Sequence, residues 1–135
     1  MHPVMNDTKW EEIRLAMYGL GELAPRWRTL DLENGHVSEW DGEWFHHFRI
    51  GGYRFMESLE IAVVSQPQRE AVLSALVRIR VPGEQTEYGF KVFGYVADGA
   101  AVDYLKSSNR SAQRTPSAAL TSDVRPQAVS IEVKA

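Results

Sequence analysis

Cysteine is absent from the 135-residue chain. That excludes disulfide staples, thiolate nucleophiles and cysteine-based zinc sites. No apolar run is long enough to cross a membrane as a helix. The opening residues Met1-His2-Pro3-Val4-Met5-Asn6-Asp7 lack the basic and apolar regions of a secretion signal, so the expected location is cytoplasmic. Strong charge of one sign is missing too: the formal net charge is −3, which argues against a nucleic-acid partner. What is present is ordinary for a soluble globular chain, with 44% hydrophobic and 24% charged residues and a length that suits one domain.

The chain divides unevenly. Residues 1–105 carry ten basic and sixteen acidic side chains, a net −6, with aliphatic and aromatic residues recurring throughout. Residues 106–135 carry five basic and two acidic side chains, a net +3, and are rich in Ser, Ala, Arg, Gln and Pro. The reading is an α+β domain over 1–105 followed by a polar, basic C-terminal extension over 106–135. Within that extension Val129-Ser130-Ile131-Glu132-Val133 alternates apolar with polar, as a short strand does. Such a strand could add to a sheet edge in its own or a neighbouring chain, which would make a homodimer.

Periodicity places the elements of the domain. Thr8-Lys9-Trp10-Glu11 has capping-box spacing, and Trp10, Ile13, Met17 and Leu20 follow as one apolar stripe, predicting a helix that ends at Gly19 and Gly21. Asn34-Gly35, Asp41-Gly42 and Gly51-Gly52 then punctuate four strand-like runs: Trp27–Leu32, His36–Trp40, Glu43–Ile50 and Tyr53–Val64. Ser65-Gln66-Pro67-Gln68 opens a second helix with Val72, Leu76 and Ile79 on one face, stopped by Val81-Pro82-Gly83. Tyr88–Val96 reads as a fifth strand, and Ala100–Leu105 as a short element of open type. The expected architecture is a two-layer α+β sandwich in the order αββββαβ, an antiparallel meander of four to five strands with both helices on one face.

Three segments carry a resemblance: Asn6-Asp7-Thr8-Lys9-Trp10-Glu11-Glu12-Ile13-Arg14, Trp40-Asp41-Gly42-Glu43-Trp44 and Tyr88-Gly89-Phe90-Lys91-Val92-Phe93-Gly94-Tyr95. Over roughly residues 5–105 the chain resembles a small bacterial protein family of unknown function. The resemblance implies a bacterial, cytosolic protein and assigns no activity or catalytic residue. Small single-domain bacterial proteins of this kind are often immunity or antitoxin proteins, an association at the level of class.

The usual chemistries leave little trace. His36, His46 and His47 with Glu43 are the candidate metal ligands. Neighbouring strand residues point to opposite faces, however, and neither His-x-His nor His-Glu-x-x-His spacing occurs. Glu39, Asp41 and Glu43 cluster at one turn, where water keeps carboxylates ordinary, unlike the divided environments that acid/base catalysis needs. No Gly-x-Ser-x-Gly elbow surrounds a serine, and Gly51-Gly52 and Gly19-x-Gly21 lack the features of a phosphate loop. No catalytic residue and no cofactor is therefore expected.

Aromatic residues are the richest remaining signal. Trp27, Trp40, Trp44, Phe45, Phe48, Tyr53 and Phe55 crowd the expected meander, and only one face of it can pack under helices. The other face, read as Trp40 and Trp44 with Arg28, Arg49 and Arg54, has the composition of interface hot spots. Either that face is a binding surface, or the tail or terminal element covers it. The favoured function is a non-enzymatic protein-binding module, immunity- or antitoxin-like, whose acidic body suits a basic partner. The alternative is a small-molecule-binding or metal-dependent hydrolytic domain with a site near His36, His46, His47 and Glu43.

Overall fold

The computed structural model describes residues 1–107. The strand expected over 129–133 lies outside the described residues, as does the rest of the extension from 108 onward. Helix α1 (Asp7–Tyr18) begins where the Asn6 side chain accepts the Lys9 amide at 2.8 Å. The cap is therefore Asn6 and not Thr8, which falls inside the first turn. Asn is at least as good a cap as Thr, and Asn6 has the extended backbone that the position needs. Trp10, Ile13 and Met17 are buried as the stripe requires, and Gly19 closes the helix.

Helix α2 (Gln66–Ile79) begins at Ser65, whose hydroxyl accepts the Gln68 amide at 3.2 Å. The Gln68 side chain does not return to the cap residue. Its carbonyl oxygen accepts the Val64 amide at 2.7 Å, and its amide donates to the Leu23 carbonyl at 3.1 Å. α2 ends on Arg80 in the left-handed conformation, whose carbonyl accepts Lys9 Nζ at 2.6 Å.

The fold class is the expected α+β with antiparallel strands. Strands β1 (His2–Pro3), β2 (Arg26–Asp31), β3 (Met56–Ala62), β4 (Gly83–Thr86), β5 (Gly89–Phe93) and β6 (Tyr95–Val96) form two sheets. The larger has the order β2-β3-β5-β4, and β1 pairs with β6 in the smaller. Its register aligns Trp27, Ile61 and Phe90, and likewise Thr29, Leu59 and Val92. This face builds the core with the buried residues of both helices, among them Val72, Ala75 and Leu76. From α2, Arg69 reaches over the Phe90 ring at 5.3 Å.

Three of the sheet's strands, β2, β3 and β5, match the expected runs 27–32, 53–64 and 88–96, whereas the runs 36–40 and 43–50 do not join it as strands. Residues 36–41 make only isolated bridges to β2, Leu30 with Val37 and Trp27 with Asp41, one residue out of register with each other. The Ser38 hydroxyl takes the Thr29 amide at 2.9 Å, a bond a ladder carbonyl would otherwise make. Residues 43–50 are no strand at all but a turn and a short 3-10 helix (His47–Arg49). The Glu43 carboxylate accepts the amides of Phe45, His46 and His47, at 3.1, 2.9 and 2.7 Å, and curls the chain instead of letting those amides pair across strands. β4 went unseen because Gly83-Glu84-Gln85-Thr86 is short and polar, as edge strands tend to be.

Close approach of backbones fixes one residue of the third resembling segment. A Cβ on Gly89 would lie 1.8 Å from the Ile61 carbonyl oxygen, an atom the ladder holds in place. Gly89→Ala should therefore cost about 1–3 kcal/mol through overpacking, read as a lower midpoint in urea unfolding. An unchanged midpoint would show that β3 and β5 part easily.

Candidate functional site

The face of the large sheet opposite the helices is where the sequence placed its binding residues. Register lines up Arg28, Glu60, Lys91 and Glu84 across all four strands, so positive and negative side chains alternate. Arg28 Nε donates to Glu60 Oε1 at 2.8 Å, and its guanidinium lies 4.4 Å from the centroid of the Trp40 ring. The Tyr88 hydroxyl donates to the same Glu60 oxygen at 3.2 Å. Trp40 and Tyr88 meet edge to face, their centroids 6.1 Å apart. The Glu60 hydrogen bond holds the Arg28 pKa above its ordinary value. Arg28 and Glu60 side chains keep about 30% of their surface in water, at 30% and 29%.

Of the five expected binding residues, Trp40 and Arg28 come together and three do not join them. Trp44 is a core residue at 2% exposure, and its indole N–H donates to the Pro25 carbonyl at 2.8 Å. The expected alternation failed because residues 43–50 form no strand. Arg49 is exposed on the short 3-10 helix. Arg54 is exposed with its guanidinium 5.3 Å from the Phe55 ring, and its carbonyl accepts the Tyr95 hydroxyl at 2.7 Å. Glu60, Tyr88 and Lys91 were missed. Register sets Glu60 beside Arg28 and Lys91 beside Glu60, while Tyr88, just before β5, meets the Trp40 ring; no local pattern in the sequence signals that.

The segment Trp40-Asp41-Gly42-Glu43-Trp44 passes from one side of the sheet to the other, sending Trp40 outward and Trp44 inward. Asp41 pairs with Trp27 through two backbone bonds of 2.8 Å, and its side chain accepts the Glu43 amide at 2.7 Å. His47 Nδ1 lies 2.9 Å from the other Asp41 oxygen. His36 and His46 are exposed, and the His46 ring meets the edge of Phe45. Among the described residues no three His, Asp or Glu side chains stand where they could share an ion. The candidate set His36, His46, His47 and Glu43 is thus not assembled, because Glu43 is occupied by backbone amides and His47 by Asp41.

The turn carboxylates are not simply solvated acids. Hydrogen bonds from the His47 amide first, and from His46 and Phe45 next, hold the Glu43 carboxyl below its ordinary value. Partial burial pushes Asp41 up, but the Glu43 amide and the His47 ring more than offset it, so its net shift is also downward. Folded values below unfolded ones mean that this stabilisation is complete above the ordinary carboxylate range and is lost as pH falls through the folded values. The urea midpoint should therefore drop between about pH 5 and pH 3, and less steeply in Glu43→Ala. Equal slopes for the two proteins would contradict this role.

The two tryptophans separate by stability. Trp44→Ala should cost about 3–5 kcal/mol, and Trp40→Ala about 1 kcal/mol or less, both read by urea unfolding. The reverse order would interchange core and surface.

Among the described residues no helix is long and apolar enough to cross a membrane. No curated protein and no solved structure matches the chain. A family model described as a family of unknown function (DUF6678) matches residues 1–99. That stretch holds the resembling segments whose residues cap α1, carry the chain through the sheet at Trp40–Trp44 and bring β5 against β3, and the chain belongs to this family of unknown function, DUF6678.

Proposed function

We propose that this chain is a non-enzymatic protein-binding module of the immunity or antitoxin kind, taking a basic protein on the outer face of its large sheet. The observation that carries the reading is Arg28, held between the Trp40 ring and the Glu60 carboxylate on the face opposite the helices. Tryptophan, tyrosine and arginine dominate interface energetics when they are rigid before the partner arrives. Here each of the three is already oriented by another. A basic partner follows from the net −6 of residues 1–105. Glu39 and Glu87, the residues just before the two rings, are exposed to receive cationic side chains.

The test uses the full chain and its Trp40→Ala variant, immobilised side by side in a bacterial lysate at low and high salt. Bound proteins are quantified by mass spectrometry. The expected result is one basic protein retained stoichiometrically by the wild type, weakened by salt, and bound about thirtyfold more weakly by Trp40→Ala, the loss typical of a hot spot. Identical binding to both chains would overturn the reading. So would a second copy of this chain as the sole occupant of the face, seen as self-association that Trp40→Ala abolishes.

A further inference from the structure

A cavity of about 330 Å³ lies between β2 and the segment that follows it. Trp27, Phe48 and Phe55 line it with aromatic surface, and His36, His47 and Ser38 line it with polar groups. Its volume stands at the small end of ligand sites, room for one ring and a few substituents. Ile50 and Phe55 also line it while 71% and 39% exposed, leaving apolar surface in water at its rim.

The chemistry of the polar wall is set by one bond. A carboxylate only accepts, so the proton between Asp41 Oδ2 and His47 Nδ1, 2.9 Å apart, resides on the imidazole. Neutral His47 is thereby fixed as the Nδ1–H form, and what it can offer a ligand is the lone pair of Nε2. The Glu43 amide on the other Asp41 oxygen keeps the carboxylate from turning away. The carboxylates nearby are already engaged: Asp31, also lining the cavity, accepts the amides of Glu33 and Asn34. Among the described residues no three His, Asp or Glu side chains stand where they could hold a metal ion, and the carboxylates, with the net −6 of residues 1–105, disfavour an anion.

We infer that this cavity binds a small neutral ring compound bearing one hydroxyl or N–H donor, of the phenol or indole class, with His47 Nε2 as the acceptor. The aromatic wall takes the ring, and the oriented imidazole selects the donor. This site is separate from the outer-face cluster and does not depend on it.

The test is made by NMR on the ¹⁵N-labelled full chain at mildly alkaline pH, with phenol, indole and toluene as probes. Long-range ¹H–¹⁵N spectra should show His47 in the Nδ1–H form before any ligand is added. Phenol and indole should shift His47 Nε2 saturably. Toluene, which has no donor, should bind about tenfold more weakly, the worth of one hydrogen bond. In His47→Phe, phenol should lose its advantage over toluene. A His47 in the Nε2–H form, equal binding of phenol and toluene to the wild type, or no saturable shift with any probe would overturn the assignment. The tautomer and the probe ranking are read on the wild-type chain, so a variant that fails to fold does not blunt the test.

Discussion

A buried guanidinium organises this molecule. Arg14 sits on α1 at 5% exposure, and a charge withdrawn from water must find partners or cost several kcal/mol. Glu11, one turn earlier, supplies one partner at 2.9 Å. The backbone carbonyl of Phe45 supplies the other at 2.6 Å, across 31 residues of sequence. The Tyr53 hydroxyl donates to the same Glu11 carboxylate. Burial first, and this bond next, keep the phenol protonated well above its ordinary range. The segment between Phe45 and Tyr53 is thus fastened to α1 at both ends. Held there, Phe48 packs 4.8 Å from Trp44 and 5.1 Å from Trp27, ring centroid to centroid.

That aromatic cluster connects the two faces of the sheet. Trp27 faces the core from β2, its indole N–H donating to the Glu43 carbonyl at 3.1 Å, and its backbone pairs with Asp41. Trp40 and Trp44 leave the same short loop in opposite directions because the loop's own carboxylates have bound its amides. The orientation of Trp40 over Arg28 therefore depends on contacts made on the opposite side of the sheet.

Parts of this were legible in the sequence for clear reasons. The stripe of Trp10, Ile13 and Met17 and the Ser65 cap are local signals, and local signals suffice for helices. The alternation of Ser58 and Glu60 with Leu59 and Ile61 likewise marks β3. Residues 43–50 misled because Trp, Phe and Ile favour strands by propensity, while the side chain of Glu43 takes three backbone amides that a strand would need. Composition pointed to Trp40 and Arg28 but could not separate them from Trp44, since separating them requires knowing where alternation breaks down. Glu60 and Tyr88 lie 32 and 60 residues from Arg28, and the Asp41–His47 contact spans an irregular loop. Neither pairing follows from any period.

The row Arg28, Glu60, Lys91, Glu84 has a geometric consequence for anything laid across it. Its charges change sign at every strand, so the pattern repeats after two strand spacings, about 9.6 Å. A complementary surface displaced by a single strand finds each of its charges opposite one of the same sign. The sheet is thereby a ruler with its graduations in charge: opposite charges meet only in register, and a slip of one strand sets like charges against each other.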